Sequence, residues 1–134
     1  MAAVAGSASM RGSTPSSLKS RSEVLGKAVV SAAVVLGIEP ARLAKVLGIS
    51  ANSISRLFYG AYTLKSTKKP WELAVLVVRL YQALESIMAG DEIAMRSWMR
   101  NHNTHLNAIP AEYIATVQGL VDVVGYVESF RSRV

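Results

Sequence analysis

The sequence has no cysteine among its 134 residues. That excludes a disulfide framework and any thiolate metal or redox site, and it suits a reducing cytoplasm. Imidazoles are scarce as well. His102 and His105 lie three apart with no third ligand of the right kind nearby, so they read as hydrogen-bonding groups of a loop rather than metal ligands. There is no Ser/His/Asp set and no glycine-rich phosphate loop. Asp91-Glu92 and Glu112 sit where helices start, where acids complement the helix dipole. No enzymatic activity and no cofactor are expected. Long apolar runs are missing too: the most apolar window, Leu73 to Val78, is broken by Arg79 and falls far short of the ~20 residues of a membrane span. A secretory signal would place a basic segment before an apolar run, and here the order is wrong. A soluble, cytoplasmic chain without a membrane partner is expected. Nothing alternates with period two over a useful length, so the expected fold class is all-α.

Acid is what the first half lacks. Residues 1–69 carry ten Lys and Arg against only Glu23 and Glu39, a net +8. Residues 70–134 carry five against seven acids, a net −2, which together gives the chain its +6. A basic half joined to a slightly acidic one is the electrostatic pattern of a phosphate-binding surface on part of a molecule.

The apolar spacing divides the chain. Residues 1–21, rich in Ala, Ser and Gly, read as a flexible arm. A helix is predicted over Ser22 to Leu36, with Ser22 as its cap and Gly37 as its end. Pro40 opens a short helix, Ala51 to about Tyr59 forms a third, and Gly60 ends it. After a basic connection, Pro70 starts a long helix to about Ala89. Its apolar residues cover more than one face, so it is either a buried central helix or a subunit interface. Asp91 is the expected cap of a helix to about Arg100. Asn101 to Ile109 is a loop, Pro110 opens a helix to about Gln118, and a last helix runs from Leu120 after a break at Gly119. The implied organisation is an arm (1–21), a DNA-binding unit (22–69), a connecting or dimerisation helix (70–90) and a second small helical unit (91–134).

Within Ile38–Leu57 the spacing is that of a helix-turn-helix. Leu43, Ala44 and Leu47 share one face, with small Ala44 where two helices cross. Gly48 permits the turn, Ile49 plugs its corner, Ser50 caps the second helix, and Ile54 and Leu57 face inward. The outer face of that second helix would enter the major groove. It offers Ala51, Asn52, Ser55, Arg56 and Tyr59: Asn can bridge adenine N6 and N7, and Arg can bridge guanine O6 and N7. Ser50 and Ser53 suit phosphate near the helix N-terminus, and Arg42, Lys45, Lys65, Lys68 and Lys69 suit the DNA backbone. One such helix reads only a few base pairs, so operator DNA is expected to be bound by a homodimer.

The stretch from Trp98 to Val127 contains Trp98, Asn103, Leu106, Pro110, Ile114, Thr116, Gly119 and Val123 in that order. It resembles the toxin-binding domain of Xre/MbcA/ParS-type antitoxins, and the upstream helix-turn-helix resembles the Xre part of the same family. The likeness covers about residues 22–134. One departure is Asn107-Ala108, where the family usually has a small or Gly-containing turn. The resemblance implies an antitoxin of a type II toxin–antitoxin system. It also implies a cognate RES-domain toxin that consumes NAD, occlusion of that toxin's active site, and repression of the shared operon. Arginine suits a plug because it pairs with an acidic catalytic group. The residues expected to face the toxin are Trp98, Arg100, His102 and Asn103, with the tail Phe130, Arg131, Ser132, Arg133 and Val134. Core packing is the plainer role for Trp98, Leu106 and Val123. The rival expectation is a stand-alone dimeric repressor whose C-terminal unit serves dimerisation or an unknown effector.

Overall fold

One helix organises the rest. In a computed structural model, which describes residues 15–131 and side-chain surroundings from residue 21 onward, Lys69–Ile87 (α4) runs through the middle. It packs against α1 (Pro15–Leu36), α2 (Pro40–Leu47), α5 (Glu92–Arg100) and α7 (Val117–Arg131). Two short helices complete the fold, α3 (Ala51–Phe58) and α6 (Pro110–Tyr113). Among the described residues there is no strand, only an isolated bridge between Asn103 and Ala108. The fold class is all-α. No helix among the described residues is long and apolar enough to cross a membrane.

The apolar excess of α4 is spent on this central position. Leu73, Ala74, Val77, Leu80, Ala83 and Leu84 are buried, while Trp71, Val75, Leu76, Val78 and Tyr81 are only partly covered. The buried residues belong to one continuous core reaching from Val29 on α1 to Val127 on α7. That core crosses the positions where the sequence suggests boundaries, near residues 69 and 90.

The helix starts and stops follow local chemistry. Glu39 is extended at the start of α2, with Pro40 in the first turn, where the missing N–H costs nothing. Gly48 leaves α2 at φ 71°, a left-handed conformation that glycine adopts without a Cβ penalty, and the Ile49 N–H returns to the Ala44 carbonyl at 3.0 Å. Ser50 Oγ accepts from the Ser53 N–H at 3.0 Å at the start of α3. Asp91 does the same for the Ala94 N–H at 3.0 Å at the start of α5.

Two expectations from the sequence are corrected. The first helix starts at Pro15, so Ser22 is not its cap but an interior residue, 7% exposed. Residues 15–21, read as part of an arm, are therefore helical; residues 1–14 lie outside the described residues. The helix opened by Pro110 ends at Tyr113, and Gly119 breaks nothing. The turn lies at Ile114–Thr116, and Thr116 Oγ1 accepts from the Gly119 N–H at 3.0 Å to start α7. Gly119 is there because a Cβ would collide with the carbonyl of Tyr113. α6 is thus held directly against α7, and the Tyr113 hydroxyl donates to Asp122 at 2.5 Å across the same contact.

Polar ties lock the layers. Arg79 on α4 forms a two-pronged pair with Glu128 on α7, at 3.0 and 2.6 Å. The hydrogen bond from Arg79 holds the Glu128 carboxyl below its ordinary range, against the opposing effect of burial and with help from the charges of Arg79 and Arg131. Arg96 on α5 donates to the Val35 carbonyl at 3.2 Å, placing a cation at the C-terminus of α1 where the helix dipole favours it. Among the described residues no buried side-chain nitrogen or oxygen lacks a partner.

Gly119→Ala is expected to lower the unfolding free energy by about 1–3 kcal/mol, the usual cost of forcing an atom into filled space. Gly125→Ala on the same helix, whose methyl would meet nothing within 4 Å, is expected to raise it by roughly 0.5–1 kcal/mol through helix propensity. Urea unfolding followed by circular dichroism checks both, and equal effects would mean that Tyr113 does not crowd Gly119. A second expectation concerns pH. Because the folded state lowers the pKa of Glu128, its stabilisation is complete above the ordinary value of 4.5 and is lost as pH falls through the lowered one. The stability gap between wild type and Glu128→Gln, under about 1 kcal/mol for a partly exposed pair, should hold steady at neutral pH and close in acid.

Candidate functional site

The face of α3 is built by what lies beneath it. Leu43, Ala44, Leu47, Ile54 and Leu57 are buried and fix α2 against α3. That leaves Ala51, Asn52, Ser55, Arg56 and Tyr59 outward, with Tyr59 87% exposed. The spacing 52, 55, 56, 59 is one helical stripe. The Arg56 guanidinium lies 5.6 Å from the ring centre of Tyr62, a cation–π contact that steadies it without removing it from solvent. Ser50 also donates to Ser53 Oγ at 3.0 Å, so both hydroxyls take part in the cap.

The surrounding cations divide. Lys45, Lys65 and Lys68 are exposed, as is Lys69, which lies 3.7 Å from Glu72 in an open pair. Arg42 is different. Its guanidinium turns inward and donates to the Ala111 carbonyl on α6 at 3.0 Å, joining the helix-turn-helix to the C-terminal part of the fold. In this structure Arg42 is a fastener rather than a free phosphate ligand.

A second feature lies at the other end of α4. Leu84, Ile87 and Met88 meet Trp98 of α5 and Tyr126, Val127 and Phe130 of α7 around an open hollow of about 230 Å³. Ile87 (37% exposed) and Phe130 (39%) form its open side. The aromatic rings continue in a chain: Phe130 stands edge-on to Tyr126 at 4.9 Å, and Tyr126 stacks with His105 at 5.7 Å. The structure therefore brings together Trp98 and Phe130, which are 32 positions apart in sequence. It adds Tyr126, His105, Ile87 and Met88, which sequence reasoning missed. The i, i+4 spacing of Tyr126 and Phe130 was an available signal.

The other residues expected near a partner behave differently. Asn103 is committed to its own loop: its Oδ1 accepts from the Leu106 N–H at 3.0 Å, and its backbone pairs with Ala108 at 2.9 and 3.3 Å. Asn107 takes φ 53° there, a conformation that asparagine tolerates better than most residues, and so closes the turn without glycine. Arg100, His102 and Arg131 are exposed but do not line the hollow. Ser132, Arg133 and Val134 lie outside the described residues. Among the described residues no group of acids and histidines is arranged to hold a metal ion.

Residues 83–133 match a family described as the antitoxin Xre/MbcA/ParS C-terminal toxin-binding domain. The matched stretch begins inside α4, eight residues before the unit boundary suggested by the sequence, and takes in every residue that lines the aromatic hollow. No curated protein matches the chain.

Proposed function

We propose that this chain is the antitoxin of a type II toxin–antitoxin system. It binds a toxin through the aromatic hollow and its surroundings, and it reads operator DNA through α3 as a homodimer, repressing its own operon. The observation that carries the reading is the coincidence of the hollow with the stretch similar to a toxin-binding domain. An open cluster of Trp, Tyr and Phe in a pocket is also what the energetic centre of a protein interface requires. The toxin class we infer rests on the resemblance of about residues 22–134 to RES-Xre antitoxins: a RES-domain enzyme that consumes NAD, whose active site this non-enzymatic partner covers.

The DNA half is supported by the outward stripe Asn52, Ser55, Arg56 and Tyr59 and by the flanking Lys45, Lys65, Lys68 and Lys69. Ser50 and Ser53, at the N-terminus of α3, lie where a phosphate would approach. Arg42 contributes here by holding the unit in place. On the toxin side Trp98 and Phe130 are the anchors. Arg100, His102 and Arg131 offer exposed polar reach, Asn103 shapes the loop, and Arg133 and Val134 extend the tail.

Co-purification with the product of the adjacent gene, followed by an NAD-consumption assay, tests the reading. A stable complex with suppressed NAD loss is expected. No partner and no effect on NAD would leave the stand-alone repressor. Within the complex, Ile87→Asp and Phe130→Ala should each weaken toxin binding by about 2 kcal/mol or more, roughly 30-fold. The chain should stay folded by circular dichroism, with the change in toxin affinity read by titration calorimetry. On operator DNA, Asn52→Ala and Arg56→Ala should each cost about 1–3 kcal/mol at fixed salt if they read bases. If Arg56 instead holds phosphate, its removal should lower the salt slope by about one and weaken all sequences alike.

A further inference from the structure

A hollow beside the DNA-facing helix has the chemistry of a small-molecule site. It measures about 270 Å³ and opens between α1 and the chain that leaves α3. Ser22, Glu23, Gly26 and Lys27 line it from α1, and Leu57, Tyr62 and Thr63 line the other side. Gly26 gives it room. Glycine inside a helix is destabilising relative to alanine, and packing does not demand it here. An added Cβ would meet only Leu57 Cδ1, at 3.4 Å, an ordinary contact. That methyl would stand between two residues of the lining, so the space glycine leaves belongs to the hollow. Glu23 and Lys27 lie one turn apart, about 6 Å along the axis, in the order that favours an ion pair. None of the ion pairs among the described residues joins them. Ser22 is the one buried polar side chain among the described residues. Its hydroxyl donates once and accepts twice, so a partner elsewhere leaves capacity toward the hollow.

We propose that this hollow binds a free α-amino acid and that its occupation steadies Arg56 for DNA. The ammonium of the ligand faces Glu23 and its carboxylate faces Lys27, with the hydroxyls of Ser22 and Thr63 between them and Leu57 against its side chain. The carboxylate of Glu23 opposes a phosphate or nucleotide. A purely apolar ligand would cover the Ser22 hydroxyl and both charges without replacing their water. The volume lies below the usual range of clefts for drug-sized ligands, which suits a smaller molecule. Tyr62 belongs both to the hollow and to the contact with Arg56. A ligand against the ring holds it, and with it the guanidinium 5.6 Å away, so Arg56 has less rotamer freedom left to lose on DNA. The effect on DNA rests on the proposed reading by α3; the ligand site itself does not.

Titration calorimetry of the full chain with each of the common L-α-amino acids, and with acetate, ethanolamine and inorganic phosphate, reads the site. At least one amino acid should bind, and the three single-function probes should bind at least about ten-fold more weakly. Glu23→Gln, Lys27→Gln and Gly26→Ala should each weaken amino-acid binding at least about ten-fold, the last while raising the melting temperature. Gly125→Ala, whose methyl meets nothing within 4 Å, should leave binding unchanged. No amino-acid binding, equal or tighter binding of phosphate, or binding that the three α1 variants leave intact overturns the proposal. With the amino acid saturating, wild type should hold operator DNA at least about five-fold more tightly, and Tyr62→Leu should lose that gain. Ligand binding with no change in operator affinity overturns the link to Arg56. A chain that binds the amino acid but no operator DNA, with or without it, would sink the reading of α3 and leave the ligand site standing.

Discussion

Burial of α4 is the constraint on which the rest depends. A helix with apolar residues on several sides must be enclosed, and here the enclosure is made by helices from both ends of the chain. α1 and α2 cover one part, α5 and α7 another, and no subset completes the core alone. Removing a side chain as central as Leu80 would cost about 2–5 kcal/mol, a large share of the stability of a domain this size. The face of α3 and the aromatic hollow are thus two surfaces of one packed body.

Where the determinant was local, the sequence was legible. Ser50 and Asp91 cap as their positions suggest, Pro40 opens its helix, and Gly48 turns where the apolar spacing demands a corner. Helix type and number follow from apolar period and punctuation, and these depend on neighbours in the chain. The harder residues are those whose partners lie on another element. Gly119 resembles a helix breaker until the carbonyl of Tyr113 is found against it. Arg42 resembles a phosphate ligand until Ala111, 69 positions away, takes its guanidinium. Trp98 and Phe130 could be suspected singly, but their meeting around Tyr126, Ile87 and Met88 depends on how α4, α5 and α7 cross. Asn103, expected to face a partner, also braces its own loop by accepting from the Leu106 N–H.

Two arginines show how a charge count misleads. Arg42 and Arg96 enter the sequence tally as surface cations, yet both reach backbone carbonyls of another element. A guanidinium presents several donors in a fixed fork, so it can close a helix end or an inter-helix gap that lysine would leave to water. Among the described residues of the first half, the exposed cations that remain are Arg21, Lys27, Lys45, Arg56, Lys65, Lys68 and Lys69.

The clasp from Arg42 to Ala111 also bears on how long the protein lasts in a cell. Because the core runs unbroken from α1 to α7, a peptidase that trims the C-terminal helices exposes the apolar side of α4 and removes the anchor of α2 in one stroke. No folded fragment carrying α3 is then expected to persist. In the proposed setting, release of the partner and release of the promoter would share a single half-life, so degradation of this one chain times both events together.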